Sequence, residues 1–201
     1  MILITGFGPF PGIQDNATST LVPVLAEAAR ARHRTYGFVS AVLPTVWEDA
    51  PRLLEELFEV HRPSACLHFG VARECHGFRL ERRAANACRA TADAAGCLPP
   101  APQLVADGPD YQDTTFPADA ILERLIAQGL PASCSEDAGG YLCNAVLYHS
   151  LRAMAGRRRR CISGFVHIPP DLTGPPLTHE EALRGAGLIV DALVDSLRFG
   201  S

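Results

Sequence analysis

Short apolar runs alternate with longer segments of helical periodicity along most of this chain. The pattern predicts strands at Ile2–Thr5, Tyr36–Leu43, Ala65–Phe69, Ala132–Ser135 and Cys161–His167. It predicts helices at Ser19–Ala31, Trp47–His61, Pro117–Gln128, Asn144–Ala155 and Thr178–Leu197. Because strands that alternate with helices are typical of βαβ units, we expect an α/β fold with a mainly parallel sheet and helices on both faces.

One stretch between the predicted elements, Cys88–Thr115, lacks clear periodicity and is rich in Ala, Pro, Gly and Asp. We interpret it as long loops or an irregular hairpin. Long loops in compact domains are usually functional or mobile. The stretch is therefore of functional interest.

The composition is that of an ordinary globular protein. Of 201 residues, 47% are hydrophobic and 20% are charged, so residues 1–201 are expected to form a single domain with a substantial core. The net charge of −4 and a pI near 6.0 give no general reason to bind nucleic acid or an anionic membrane. The one basic run, Arg157–Arg160, is interpreted as a solvated loop, with a subunit contact as the alternative.

The seven cysteines are spread along the chain and contain no C-x-x-C pair. They suggest neither a zinc site nor a disulfide framework. The N-terminus enters a strand directly, without the features of a signal peptide, and no apolar run approaches the roughly 20 residues that span a bilayer. We therefore expect a cytoplasmic location, where the thiols remain reduced.

A lone cysteine, Cys143, follows the pair Gly139-Gly140 and opens an apolar run of helical character. The first turn of a helix carries free N–H groups and the positive end of the helix dipole, so a thiolate there is stabilised and its pKa is lowered. Cys143 is thus a candidate nucleophile, although a cysteine on an apolar background is also a common core residue. His167, at the end of a buried strand, is the candidate base, with the same alternative.

A cysteine hydrolase also needs a group that orients the histidine, and two acids qualify. Glu81 lies among arginines downstream of the third predicted strand, and Asp137 precedes the nucleophile; for Glu81, a surface salt bridge is the alternative. In a parallel sheet, ligands sit beyond the carboxyl ends of the strands. Phe7 and Phe10 follow the first strand, where they form either a small apolar pocket or a cap on the core.

Several motifs occur together in one order along the chain. They are Thr5-Gly6-Phe7-x-Pro9-Phe10-x-Gly12 with Asn16, Leu43-Pro44-Thr45, Glu81-Arg82-x-Ala84-x-Asn86, Ser135-x-x-Ala138-Gly139-x-Tyr141-Leu142-Cys143-Asn144, and Gly164-Phe165-Val166-His167-Ile168-Pro169. This order resembles that of the pyroglutamyl peptidase I family, also called pyrrolidone-carboxylate peptidases. The resemblance covers nearly the whole chain, and the motifs around Cys143 and His167 are the specific ones.

The resemblance implies a three-layer α/β/α sandwich with a mainly parallel twisted sheet. It implies a cysteine omega-peptidase that removes an N-terminal pyroglutamyl residue from small peptides through a thioester. It assigns Cys143 as the nucleophile, His167 as the general base and Glu81 as the acid that orients it. The lactam pocket would consist of Phe7, Phe10, Thr45, Tyr141 and Leu142. Such proteins are typically cytosolic and often tetrameric, so a dimer or tetramer is expected here, and the chemistry requires no metal or organic cofactor.

Two segments depart from the family pattern. Gly70–Gly77 lacks the paired glycines of the family's loop and has Cys75 where an arginine is expected, with Arg73 as a candidate substitute. Cys88–Asp107 is rich in Ala and Pro where the family has an R-I-P-D-N-x-G-like segment. The preference for pyroglutamate is therefore less firmly indicated than the triad. Two alternatives stay open: a related thiol amidase with another small acyl substrate, and a non-catalytic binding protein on the same fold.

Overall fold

The computed structural model of the protein describes residues 1–155 and 161–199, so the basic run Arg157–Arg160 lies outside the described residues. In chain order the strands are β1 (Ile2–Phe7), β2 (Phe38–Leu43), β3 (Ala65–Val71), β4 (Phe78–Glu81), β5 (Arg83–Ala85), β6 (Tyr111–Asp113), β7 (Ala132–Ser135), β8 (Ile162–Ile168), β9 (Thr173–Gly174) and β10 (Leu177–Thr178). The helices are α1 (Ala17–Arg32), α2 (Asp49–His61), α3 (Ala118–Ala127), α4 (Leu142–Ala155) and α5 (His179–Phe199).

A six-stranded sheet in the order β2-β1-β3-β8-β4-β7 forms the middle layer. Strands β2, β1, β3 and β8 run parallel to one another. Strand β4 pairs antiparallel with β8 and parallel with β7, so two strands at one side of the sheet are reversed. The expectation of a mainly parallel sheet is confirmed.

Helices cover both faces of this sheet, each through an apolar stripe. Helices α1, α3 and α5 pack on one face, around buried side chains that include Leu25, Ile121 and Leu193. Helices α2 and α4 pack on the other face, around side chains that include Leu54 and Leu147. The predicted three-layer α/β/α sandwich is therefore confirmed. Within the described part of the chain, no helix combines the length and apolar character needed to cross a bilayer.

Several elements begin or end a few residues from their predicted bounds, and polar contacts explain two of the differences. Helix α1 begins at Ala17, two residues early, because the Asn16 side chain accepts a hydrogen bond from Thr18 N at 3.1 Å and caps the helix. Helix α2 begins at Asp49 instead of Trp47. The backbone N–H of Trp47 instead donates a hydrogen bond to the carboxylate of Asp93, in a distant loop.

The segment around Glu81 is a strand, β4, where the sequence pattern predicted no element. Its four residues alternate Phe-Arg-Leu-Glu, so only two of them are apolar and the run is too short to give a clear strand signal. Cys88–Thr115 is mainly irregular, as predicted, but ends in strand β6, which pairs antiparallel with β5. The reversed strand β4 is the feature that positions the site.

Candidate active site

Cys143 is the second residue of helix α4, so it lies in the first helical turn as predicted. The turn before it has Gly139 at φ 83°, a conformation that favours glycine. The Cys143 Sγ packs above Gly70 of β3: a Cβ added at Gly70 would lie 2.9 Å from this sulfur. The helix start thus places the thiol close to the carboxyl end of β3.

His167 lies near the end of β8 and forms a hydrogen bond with Glu81 of the neighbouring strand β4. Its Nδ1 donates to Glu81 Oε1 at 2.6 Å, and both side chains are buried. The other candidate acid, Asp137, is exposed and accepts a bond from Gly139 N at 2.8 Å. Of the two acids, Glu81 is the one that holds the histidine. This contact leaves Nε2 of a neutral imidazole as a proton acceptor.

Arg79 joins this pair, and the sequence analysis did not single it out. Its Nε donates to Glu81 Oε1 at 2.9 Å, and its Nη2 lies 3.5 Å from His167 Nδ1. Arg79 and Glu81 are two residues apart on β4, so both side chains are on the same face of the sheet. That spacing is a signal in the sequence, but it can be used only once the segment is known to be a strand.

A cavity of about 480 Å³ opens beside Cys143 and His167. All the residues proposed for a lactam pocket line it: Phe7, Phe10, Thr45, Tyr141 and Leu142. The rings of Phe10 and Tyr141 are 6.2 Å apart between centroids. Phe7 is nearly fully buried and also packs against the core residue Phe165, so it both lines the cavity and caps the core. A larger open groove, of about 1110 Å³, lies between α2 and α4 and includes none of the triad candidates.

A turn from Thr91 to Cys97 begins at the edge of the cavity, and the buried carboxylate of Asp93 holds it. Asp93 Oδ2 accepts from Trp47 N, and Oδ1 accepts from Ala95 N and Cys97 N, each at 2.9 Å. Burial acts to raise the pKa of Asp93, but these backbone donors outweigh it and hold the pKa below its ordinary value. The charged carboxylate is therefore the stable form in this turn.

The same turn is bonded to the pocket residues. Ala94 N donates to Thr45 O at 2.9 Å, and Tyr141 OH donates to Ala92 O at 3.3 Å. Thr91 itself lines the cavity. The divergent segment Cys88–Asp107 thus contributes to the cavity lining and is bonded to two of the pocket residues.

The other divergent segment, Gly70–Gly77, also reaches the site. Arg73 lines the cavity and donates from Nη2 to Gly12 O at 2.9 Å. The buried Cys75 thiol donates to Gly77 O at 3.0 Å and lies 3.5 Å from His167 O. All seven cysteines fall within the described residues and are free thiols.

The protonation of Cys143 differs from the expectation. Burial is the largest cause that raises the pKa of the Cys143 thiol to about 12; the Glu81 charge acts in the same direction, while the Arg79 charge and a hydrogen bond to the Cys143 backbone lower it. Burial lowers the pKa of His167 below its usual value, with Arg79 acting in the same direction and Glu81 against it. The predicted low pKa of Cys143 is therefore wrong: desolvation exceeds the stabilisation from the helix terminus. At neutral pH the pair rests as a thiol and a neutral imidazole.

Comparisons with known sequences agree with one another. The family model described as pyroglutamyl peptidase matches residues 1–197. The chain is 34% identical over 169 residues to the pyrrolidone-carboxylate peptidase of Pyrococcus furiosus, which covers 84% of this chain and 80% of that protein. It is 30% identical over 198 residues to the human protein pyroglutamyl-peptidase 1, which covers 98% of this chain and 90% of that protein.

Solved structures show the same similarity in three dimensions. A mutant pyrrolidone carboxyl peptidase from the hyperthermophile Pyrococcus furiosus matches with a TM-score of 0.89 at 29% identity, over 98% of this chain and 99% of that chain. Pyroglutamyl peptidase I from Bacillus amyloliquefaciens matches with a TM-score of 0.87 at 27% identity, over 96% of each chain. The similarity therefore extends over nearly the whole chain.

Proposed function

Since the chain belongs to the pyroglutamyl peptidase family, as its resemblance implied, we propose that it removes the N-terminal pyroglutamyl residue from peptides by a Cys143–His167–Glu81 mechanism. The observation that carries this proposal is the convergence of three features on one cavity: a thiol at a helix start, a histidine bonded to a buried carboxylate, and an aromatic lining.

In the proposed reaction, the Cys143 thiol gives its proton to His167 as Sγ attacks the pyroglutamyl carbonyl carbon. Glu81 supports this step, because its carboxylate accepts the Nδ1–H bond that becomes stronger when the ring is charged. Free backbone N–H groups at the start of α4 supply donors for the developing oxyanion. The imidazolium then protonates the departing amine, leaving a thioester on Cys143.

Hydrolysis of the thioester completes the cycle. His167 takes a proton from water as the oxygen attacks the acyl carbon, and then returns a proton to the Cys143 sulfur as the bond to carbon breaks. Water, thiol and imidazole account for every proton and bond in both halves of the reaction. We therefore propose no metal or organic cofactor.

The lining of the cavity suits a small neutral lactam. Phe10 and Tyr141 offer ring faces, and Thr45 and neighbouring backbone groups offer hydrogen-bond partners without a full charge. The cavity lining carries three arginines, Arg73, Arg79 and Arg89, and one carboxylate, Glu74. We propose that this excess of positive charge disfavours the cationic α-amino group of an ordinary N-terminal residue and so favours pyroglutamate.

We also propose that residues 1–201 form one catalytic domain, that the enzyme works in the cytoplasm, and that it assembles as a dimer or tetramer. The related thiol amidase with another small acyl group is the second candidate. It is favoured by one observation: the divergent turn Thr91–Cys97 forms part of the cavity wall.

The test is release of a fluorescent amine from a pyroglutamyl amide under reducing conditions, with a prolyl amide as the specificity control. We expect Cys143→Ala and His167→Ala to abolish turnover, and Glu81→Ala to leave a residue of it, because an orienting group supports the chemistry without taking part in it. Cys134→Ala, on edge strand β7 and outside the cavity lining, is the matched cysteine control.

Full activity of Cys143→Ala would refute the assignment of the nucleophile. If the wild-type protein does not cleave the pyroglutamyl amide, a panel of other small acyl amides separates the rivals. Turnover of one of them that depends on Cys143 would support the amidase. No Cys143-dependent turnover of any amide would support a binding protein.

A further inference from the structure

Arg79 is positioned to act on the triad without belonging to it. It lies directly opposite His167 across the antiparallel pair β4·β8, and it shares the face that carries Glu81. Glu81 Oε1 receives two donors, His167 Nδ1 at 2.6 Å and Arg79 Nε at 2.9 Å. Glu81 Oε2 is buried and has no hydrogen-bond partner among the described residues. One carboxylate oxygen therefore links the arginine to the histidine.

We propose that Arg79 is a positioning residue that holds Glu81 in place and uses its positive charge to set how readily Cys143 and His167 exchange a proton. The inference rests on the proposed function, since it concerns the same nucleophile and base. The guanidinium stays charged at any pH of interest, so its influence on the site is permanent.

The sign of this influence follows from the distances. Nη2 of Arg79 lies 3.5 Å from a ring nitrogen whose own proton is already donated to Glu81. A second proton on the ring would place two cations side by side, so Arg79 opposes the imidazolium. The same charge favours a thiolate at Cys143. In agreement, Arg79 lowers the pKa of both His167 and Cys143.

The consequence is a histidine that remains a free base at lower pH and is a stronger acid toward the leaving amine. Glu81 alone would do the opposite, because an unbalanced carboxylate stabilises the imidazolium and opposes the thiolate. Arg79 neutralises that carboxylate while leaving its hydrogen bond to Nδ1 in place. It thereby moves the pH range in which the neutral Cys143–His167 pair is the starting state to lower values.

Other ionisable groups near the pair have weaker connections to it. The Cys75 thiol contacts the backbone oxygen of His167 and not the ring. His68, behind Phe165 on β3, is uncharged, because burial lowers its pKa to about 3. Further charged side chains that line the cavity are Arg73, Glu74 and Arg89. Among the described residues, Arg79 is the cation bonded to Glu81.

Arg79→Gln and Arg79→Lys test the charge separately from the packing. We expect the acid limb of the kcat/KM profile for a pyroglutamyl amide to move up by about one pH unit in Arg79→Gln, because the His167 pKa rises when the cation is removed. Activity near pH 6 should then fall several-fold and approach the wild-type value at higher pH. Arg79→Lys keeps the charge and should leave the limb within about 0.3 of a unit of wild type.

Arg83→Gln is the matched control. It removes one positive charge from the neighbouring strand β5, where the side chain is paired with Asp113 outside the cavity lining. Its profile should match wild type. Melting temperatures of all three variants verify folding.

A uniform loss of activity in Arg79→Gln, with the limb unmoved, would overturn the proposal and leave Arg79 with a packing role. The same shift in Arg79→Lys as in Arg79→Gln would also overturn it. Alkylation of Cys143 by iodoacetamide adds a readout that needs no substrate: at pH 9, Arg79→Gln should react several-fold more slowly than wild type. If the wild-type protein fails to cleave the pyroglutamyl amide, the proposed function fails, whereas the alkylation comparison still decides the role of Arg79.

Discussion

Gly70 is a position at which one added methyl group tests the geometry of the site without altering any triad residue. A Cβ there would lie 2.9 Å from Cys143 Sγ and 2.8 Å from Phe165 Cζ. Ordinary contacts between such atoms are about 3.5–4.0 Å, so both neighbours would have to retreat by roughly 0.6 Å or more. Gly70 has no left-handed φ, so alanine brings crowding without backbone strain.

The expected cost has two parts. Overpacking of this kind destabilises a core by about 1–3 kcal/mol. Displacement of the sulfur also moves it away from the position of attack, and a misplacement near 1 Å costs about 100-fold in rate. We therefore expect kcat/KM of Gly70→Ala for a pyroglutamyl amide to fall by about 10- to 100-fold.

Steady-state kinetics and urea unfolding measure the two parts separately. Gly187→Ala is the matched control, since it makes the same substitution inside α5 with no atom within 4 Å of the new Cβ. It should keep full activity and gain up to about 1 kcal/mol from helix propensity. Wild-type activity and stability in Gly70→Ala would refute the close packing of Cys143 against β3.

Two further predictions concern charge. Asp93→Ala should raise KM several-fold more than it lowers kcat, because the lost carboxylate bonds hold a turn beside the pocket and not the triad. We also expect the free energy of unfolding to fall by about 2–4 kcal/mol at pH 7. The pKa of Asp93 is lower in the folded than in the unfolded protein. Its contribution to stability is therefore present above the unfolded-state pKa, near 4, and disappears as the pH falls through the folded-state pKa. The free energies of urea unfolding of wild type and variant should thus converge in acid. Separately, the rate at which iodoacetamide alkylates wild-type Cys143 should keep rising beyond pH 9, because burial raises the thiol pKa to about 12; a plateau below pH 8 would contradict this.

The alternation of apolar runs and helices was sufficient to predict the sandwich, because its helices and the strands β1, β2, β3 and β8 are long enough to show their own periods. The motifs around Cys143 and His167 were also visible, since each stands at the junction of a regular element and a turn. Strand β4 could not be recognised in the sequence, because half of its residues are charged. Without β4, the pairing of Arg79 with Glu81 could not be inferred.

Two properties of the site depend on packing that no local pattern shows. Asp93 sits in an Ala-rich stretch, and its partners are backbone N–H groups, one of them from the distant Trp47. The Cys143 pKa was expected to follow the helix terminus, but it follows the burial of the thiol instead. The Asp93 pKa is decided by backbone donors that only the folded chain brings together, and the Cys143 pKa by the water that the folded chain excludes.

The acid–base contact and part of the surface that meets the acyl group come from different segments of the chain, so they can be varied independently. The Glu81–His167 contact is made between neighbouring strands in the middle of the sheet, where a one-residue slip would turn the acid to the opposite face. Part of the cavity lining, by contrast, comes from Arg89 and Thr91, whose segment joins the rest through a small set of hydrogen bonds. Grafting a different turn between Cys88 and Asp107 would therefore exchange the surface offered to an acyl group while leaving the acid–base contact untouched, which makes this segment a natural place to redesign selectivity.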